Sequence, residues 1–492
     1  MEIELGLTLL FSIVGALFVA RFCAGLSIIS AAAAAVPAGM ILISCFVGGI
    51  SLAIGTLTGI GILLALCAGL AVALAVMLVL IWSPETRQNL IRYQLAGLLT
   101  VLVAFAWVTI RDTSFILGDT IHQLAYMERL LRGGWNADEV AGGLASWSYT
   151  NTVVNLLTVG SGRAYYAMAG PTLIVSTFLA FISAAASIVR TLRRSIDTAQ
   201  LAAMGIVFVV VVVSAFYVFL LMNFANSNVL TVAYTSLFVS SLISLGFGQD
   251  RQRRPASLML LPVWLIGIAF SRTEGAIYAS FFALWLASSQ ALTSVQRKRV
   301  LIAMALPVVI INLIIIARYF GSSHAGMLSP LQHVVLTAVF GLWIPFAFAV
   351  RFVPESLLGS ASTILALVLW VALVVAAARV PDMPTSLTAM GANIFQSDLW
   401  GALPFFVLVG VPFLLFVSSH QTVRSGLATM ISLVCLIALV SLGREPYYFD
   451  IADSGHRLLG SIGPACLMII LAGVVALIAE AGTDRERSSE EN

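Results

Sequence analysis

The most polar stretch in the N-terminal half of this apolar chain runs from Arg111 to Arg163 and holds two candidate catalytic carboxylates. Asp112 and Asp119 are seven residues apart, and His122 follows Asp119 by about one helical turn. A carboxylate held at a membrane surface can act as a general base that takes a proton from an attacking hydroxyl. We therefore predict Asp119 as the base, with Asp112 as a second catalytic candidate and His122 as a candidate for substrate binding.

An interfacial helix over residues 119–132 is predicted to carry Asp119. Gly133 and Gly134 provide its stop signal. The apolar positions that recur at helical spacing are Ile121, Leu124, Ala125, Met127, Leu130 and Leu131. Asp119 is also well placed to be the N-cap of this helix, since its side chain can accept hydrogen bonds from backbone N–H groups. The two roles are compatible in geometry, so the residues alone leave both open.

The segment Ser271–Gly275 joins two apolar runs with almost no loop, which places Arg272 and Glu274 at the level of the lipid headgroups. Ionisable residues at that depth are rare and mark function by default. A guanidinium presents planar, permanently charged donors that match phosphate oxygens. A local pair between the two side chains, or an arginine that snorkels to the surface, is the simpler interpretation. We predict that Arg272 and Glu274 contribute to phosphate binding.

A late segment, Arg444–Arg457, supplies three further binding candidates just before the last apolar run: Arg444, His456 and Arg457. Arginine and histidine at that position would meet a lipid phosphate, although anchoring at the interface explains them equally well. Asn228 closes an asparagine-rich turn between two apolar runs and is the last binding candidate. An ordinary turn is the simpler explanation for that asparagine.

Composition predicts a polytopic membrane protein. Of the 492 residues, 60% are hydrophobic and 10% are charged, and the mean hydropathy is +1.05. Soluble domains carry roughly 25% charged residues, and apolar segments in lipid must be helices because no water satisfies an open backbone. About fifteen apolar runs could cross a bilayer. We predict an all-α, single transmembrane domain over residues 1–481, followed by a disordered cytoplasmic tail over residues 482–492.

Other kinds of site receive little support from the sequence. A net charge of +3 is too small to indicate nucleic-acid binding. The five cysteines lie in or beside apolar runs without a CxxC spacing, and no HExxH or phosphate-loop motif occurs. We therefore predict no metal site and no cofactor, although a divalent metal is compatible with the carboxylates.

Charge asymmetry predicts which side each segment faces. Basic clusters at Arg193–Arg194, Arg251–Arg254 and Arg297–Arg299 indicate cytoplasmic loops. With about fifteen crossings, this places the N-terminus outside and the C-terminus in the cytoplasm. The polar segments 111–163, 271–275, 381–400 and 444–457 then share the outer face. Compact loops and arginine-rich usage favour a prokaryotic inner or plasma membrane.

Three of these segments together resemble the GT-C superfamily of integral-membrane glycosyltransferases. The sequence GDTIHQLA at Gly118–Ala125 is similar to the GDE-x-x-H-x-x-A pattern of the first outer loop in that superfamily. SRTEG at Ser271–Gly275 is similar to its TRPEG segment, and HRLLGSIGP at His456–Pro464 is similar to its HRY-x-x-P segment. The matches come in the order of the superfamily and fall on the face that charge predicts to be outside.

The resemblance implies an inverting transfer of a sugar from a polyprenyl-phosphate donor to an acceptor outside the membrane. The acceptor class (a glycan, a lipid or a protein) is left open. Asp119 would be the base, and Arg272 with Arg457 or Arg444 would stabilise the departing phosphate. Thr120 stands where many members have a second acid, so the resemblance does not imply a paired-carboxylate metal site.

The residues alone leave three alternatives open. An O-antigen-type polymerase or ligase also uses lipid-linked sugars, and it would depend on Arg444 and His456 more than on Asp119. A lipid-linked glycan transporter or flippase would need no base, but the sequence shows neither an internal repeat nor charge at the centres of its apolar runs. An inactive membrane scaffold would not need ionisable residues concentrated on one face.

Overall fold

A computed structural model gives the architecture of the chain. It describes residues 2–23, 25–54, 56–57, 69–73, 75–76, 84–110, 135–136, 169–191, 198–215, 227–247, 254–272, 274–319, 330–395, 400–441 and 454–490. The predicted helix 119–132 lies outside these ranges, together with Asp112, Asp119, His122 and Arg444.

The described ranges form α-helices, one 3₁₀ turn at Val350–Phe352, and a pair of two-residue strands. The strands are β1 (Thr56–Leu57) and β2 (Trp135–Asn136), which pair antiparallel with Thr56 opposite Asn136. The helices are α1 Glu2–Phe22, α2 Ile28–Ile54, α3 Pro84–Ile110, α4 Ala169–Thr191, α5 Thr198–Ser214, α6 Ser227–Phe247, α7 Arg254–Ser271, α8 Gly275–Ser288, α9 Ser294–Tyr319, α10 Pro330–Ala349, α11 Glu355–Arg379, α12 Met383–Phe395, α13 Leu403–Val417, α14 Gln421–Ser441 and α15 Ser454–Glu490.

The described helices have the composition of membrane spans. Nine of them are long and apolar enough to cross a bilayer, and five shorter apolar helices accompany them. Long apolar helices that satisfy their own backbone groups are what a bilayer core requires. The prediction of an all-α membrane protein in a lipid bilayer is confirmed at this level.

Burial separates central helices from peripheral ones. In the apolar windows of α6 and α15, 83% of the residues are buried, whereas only 11% are buried in α11. A helix that is apolar on every side and largely uncovered suits contact with lipid chains. Helices α6 and α15 therefore form the centre of the bundle, and both begin at the end that carries the candidate site.

Helices α1 and α2 cross at a contact made by glycines. A side chain at Gly15 would overlap the carbonyl of Ala35, and one at Gly39 would overlap the carbonyl of Phe11. Without Cβ atoms at these positions the two backbones approach closely, which is how small residues drive helix association in membranes. The crossing holds α1 closely against α2.

Two polar ends can be distinguished by the bonds that join the helix termini. At one end, the start of α6, the α7–α8 corner and the start of α15 are joined through Thr231, Ser271 and Tyr278. We call this the Arg272 end. At the other, the end of α8 and the starts of α9, α11 and α14 meet around Arg297. We call this the Arg297 end.

The structure differs from the sequence prediction in two segments. The outer loop predicted at 381–400 contains α12, whose buried positions Met383, Ser386, Ala389, Met390 and Asn393 repeat at helical spacing. The segment 482–490, predicted as part of a disordered tail, continues α15 as helical turns. Arg485, Glu486, Arg487 and Glu490 in this segment are good helix formers, which favours the extension.

Candidate functional site

The α7–α8 corner holds Arg272 and Glu274 in a tight turn. The amide of Gly275 donates to the carbonyl of Arg272 at 3.0 Å, and the amide of Ile277 donates to the backbone carbonyl of Glu274 at 3.0 Å. A side chain at position 275 would overlap the carbonyl of Ile268, so this close turn needs glycine. The sequence prediction that two helices meet here with almost no loop is therefore matched by the geometry.

Arg272 keeps most of its hydrogen-bonding capacity. Its Nε donates to Glu274 Oε2 at 3.3 Å, and the two side chains are 13% and 31% exposed. Within the described residues, neither Nη nitrogen of Arg272 has a protein partner. Because a guanidinium carries five N–H donors, the Nη hydrogens remain available for an anion. Glu274 holds the plane of the guanidinium while leaving its forked end open.

A buried hydroxyl pair anchors this corner to the central helix α6. Ser271 and Thr231 are hydrogen-bonded through their hydroxyls at 2.9 Å, and Ser271 Oγ also lies 2.9 Å from the carbonyl of Ile268. Asn228, one turn before Thr231, is 1% exposed and lies in the first turn of α6. Asn228 is therefore placed at the Arg272 end, inside the protein rather than on an exposed turn.

Tyr278 connects the corner to the last helix. It is buried, and its hydroxyl donates to the carbonyl of Leu458 at 3.4 Å. Leu458 follows His456 and Arg457 directly, and all three belong to the beginning of α15. The backbone thus brings the two predicted residues of the late segment to the same end as Arg272, while their side chains lie outside the description.

The predicted site residues divide into two groups. Arg272, Glu274 and Asn228, with the backbone of His456 and Arg457, are brought together at the Arg272 end. Asp112, Asp119, His122 and Arg444 lie outside the described residues, so their roles stay predictions. In the described part of the chain, no group of three His, Cys, Asp or Glu side chains could hold a metal ion.

Sequence reasoning missed several residues that the structure places at this end. Thr231, Ser271 and Tyr278 form the bonds between helices, yet each lies in a run that looks like ordinary apolar packing. A signal was present for Tyr278, which follows Glu274 by four residues and therefore lies on the same helical face. Thr231 gave no comparable signal, because its partner is 40 residues away in the sequence.

Comparison with known proteins adds no relative. No family model matches the chain, and no curated protein or solved structure matches it. The function must therefore be argued from the chemistry of the site and from its position in the bundle.

Proposed function

We propose that the chain is an integral-membrane glycosyltransferase of the GT-C type. It would transfer a sugar from a polyprenyl-phosphate donor to an acceptor on the extracytoplasmic face, with inversion at the anomeric carbon. The observation that supports this most strongly is Arg272, whose two Nη groups have no protein partner in the described residues. In the proposed orientation, this corner would lie at the level of the lipid phosphates.

The phosphate half of the reaction would be the task of the Arg272 end. When the bond between the anomeric carbon and the phosphate oxygen breaks, the departing polyprenyl phosphate gains a second negative charge. Oriented donors that face this developing charge lower the barrier. Arg272 would supply a forked pair of N–H groups, Glu274 would hold it in place, and Arg444, His456 and Arg457 would add donors beside it.

The acceptor half of the reaction would be the task of the polar stretch 111–163. Asp119 would take the proton of the acceptor hydroxyl while the oxygen attacks the anomeric carbon from the side opposite the phosphate. Asp112 and His122 would position the acceptor or the sugar. An interfacial helix over residues 119–132 would keep the base at the membrane surface.

The proposed orientation requires an odd number of crossings, fifteen if every apolar helix and the run 58–82 cross the bilayer. Nine long and five shorter apolar helices are described, and the apolar run 58–82 offers one more crossing. An odd number of crossings places the termini on opposite sides. Under the positive-inside rule the Arg272 end then faces outward, with the C-terminus in the cytoplasm of a prokaryotic cell.

The proposal is tested by a transfer assay in membranes that contain a radiolabelled polyprenyl-phosphate sugar. Asp119→Asn keeps the shape and much of the capping capacity but removes the base, so transfer should disappear while expression and melting temperature hold. Arg379→Gln removes an exposed arginine elsewhere and is the matched control. Absence of transfer by the wild-type protein with every such donor would overturn the proposal.

A polymerase or ligase of lipid-linked glycans is the second candidate. It is favoured by one observation, that His456 and Arg457 begin α15 at the same end as Arg272. Full transfer by Asp119→Asn together with loss of transfer in His456→Ala would support this second function. Translocation without transfer in proteoliposomes would instead indicate a flippase.

A further inference from the structure

A basic corner lies at the Arg297 end. Lys298 and Arg351 lie beside the rings of Phe348 and Phe352, and Arg299 follows Lys298 in α9. Lys298 Nζ is 3.9 Å from the centre of the Phe348 ring, and Arg351 Cζ is 4.5 Å from that of Phe352. Lys298 and Arg299 lie near the start of α9, and Arg351 lies in the 3₁₀ turn after α10. Residues more than fifty positions apart are thus gathered at one corner.

The neighbouring ion pair leaves this corner strongly positive. Arg297 donates through Nη1 to both oxygens of Glu355, at 2.7 and 2.9 Å. That carboxylate is therefore committed to Arg297. Arg299 and Arg351 are exposed, and Lys298 is half-buried against Phe348. Within the described residues, three cations at this corner have no carboxylate bound to them.

The surface next to these charges is apolar and uncovered. Phe348 is 50% exposed, Phe352 is 73% exposed, and Leu342, earlier in α10, is 67% exposed. Leu306, farther along α9, is exposed as well. An exposed apolar surface next to a cluster of cations is complementary to a phospholipid. The cations match the charged headgroup, and the apolar side chains match the acyl chains.

We propose that the basic corner binds the headgroup of an anionic phospholipid. The phosphodiester would lie among Lys298, Arg299 and Arg351, and one acyl chain would pack against Phe348. Basic pockets between membrane helices bind such headgroups on the cytoplasmic side, and each basic residue near an anionic surface contributes about 1 kcal/mol. Charge complementarity and the apolar surface together favour a lipid over a soluble anion.

Lys298 is the only lysine of the chain, so it can report on this site by itself. The protein is reconstituted in phosphatidylcholine nanodiscs with and without phosphatidylglycerol, and the rate of Lys298 modification by a water-soluble amine-reactive ester is measured by peptide mass spectrometry. We expect phosphatidylglycerol to slow modification severalfold. Inorganic phosphate added to phosphatidylcholine nanodiscs should not do so.

The decisive variant is Arg299→Gln with Arg351→Gln. It keeps Lys298, whose modification is measured, and removes the other two cations of the basic corner. Affinity for phosphatidylglycerol should fall roughly fivefold for each arginine, the factor that corresponds to about 1 kcal/mol. The matched control is Arg92→Gln with Arg379→Gln, which removes two exposed arginines, in α3 and α11, and should keep the protection. If the double variant does not fold, the single variants replace it.

Three outcomes would overturn the proposal. One is equal protection in the variant and its control, because the general surface potential would then explain the effect. Another is protection by inorganic phosphate, which would identify a soluble anion as the ligand. The third is no difference between the two lipid compositions. None of these measurements involves sugar transfer, so the result is independent of the proposed enzymatic function.

Discussion

Two arginines, one at each end of the bundle, show how the same side chain can serve two purposes. Arg297 is 2% exposed and donates to both oxygens of Glu355 through Nη1 and to the carbonyl of Ser289 through Nη2, at 2.8 Å. Arg272 is 13% exposed and donates through Nε to Glu274, and its Nη groups have no partner among the residues that the structure describes. An arginine whose terminal groups are all occupied ties helices together, whereas one whose terminal groups are open can receive a ligand.

The hydrogen bonds that join the helices around the two arginines also differ. At the Arg297 end, hydroxyls and an indole join the helices: Ser288 to Ser362, Thr429 to Ser362, Ser289 to Thr422, and Trp285 to the carbonyl of Thr422. At the Arg272 end, the bonds between helices include Thr231 to Ser271 and Tyr278 to the carbonyl of Leu458. Hydrogen bonds between side chains and neighbouring helices thus join the helices at both ends.

Arg272→Met should cause the largest loss of sugar transfer among the variants that compare the two ends. The change keeps the apolar stem and removes the donors that would face the departing phosphate, so transfer should fall about a hundredfold or more. Melting temperature in detergent should change little, because a partly exposed pair contributes at most about 1 kcal/mol. Arg297→Met, which leaves the Arg272 end intact, is the matched variant and should retain transfer when folded. Equal loss in both would break the contrast.

Arg297→Met should give the largest loss of stability. It removes a charged donor to the carbonyl of Ser289 and both bonds to Glu355, while Glu355, at 62% exposed, can return to water. The free energy of unfolding should therefore fall by about 2–3 kcal/mol, within the range for losing hydrogen bonds to a charged group. Unfolding in mixed micelles measures it, with Arg379→Met as the exposed control. A loss under about 0.5 kcal/mol would show that the tie is not structural.

The sequence predicted the class of fold well and the role of Arg297 poorly. Apolar runs predict helices in a bilayer for any arrangement of the bundle, because the backbone has no alternative there. Arg297, Lys298 and Arg299 form one basic cluster in the sequence and were predicted to face the cytoplasm together. Only the fold shows that Arg297 turns inward, since Glu355 lies 58 residues away and meets it through helix packing.

The candidate site was predictable only where its residues are close in sequence. Arg272 and Glu274 are two residues apart, so their pairing follows from a tight corner. Tyr278 and Leu458 are 180 residues apart, and nothing in an apolar run indicates which carbonyl a tyrosine will meet. Asp112 and Asp119 lie outside the described residues, and their part in the chemistry stays a prediction.

Glu274→Gln should lower sugar transfer less than Arg272→Met does. The amide oxygen can still accept from Nε of Arg272, but the loss of charge weakens the bond that orients the guanidinium. Transfer should fall about threefold to tenfold, corresponding to roughly 1 kcal/mol. Glu355→Gln at the other end should lower stability without this loss of transfer. A hundredfold loss in Glu274→Gln would instead indicate that Glu274 itself contacts the substrate.

Tyr278→Phe should lower the stability of the protein least, because the hydrogen bond at the start of α8 is longer than the one at its end. Near its start, Tyr278 donates to the carbonyl of Leu458 at 3.4 Å, and near its end Trp285 donates to the carbonyl of Thr422 at 3.0 Å. Leu458 lies within α15, so its carbonyl keeps a helical partner when the hydroxyl is removed. We expect unfolding free energy to fall by about 0.5–1 kcal/mol, with the ring still filling its place. A loss larger than that of Arg297→Met would mean that the Arg272 end, and not the Arg297 end, holds the bundle together.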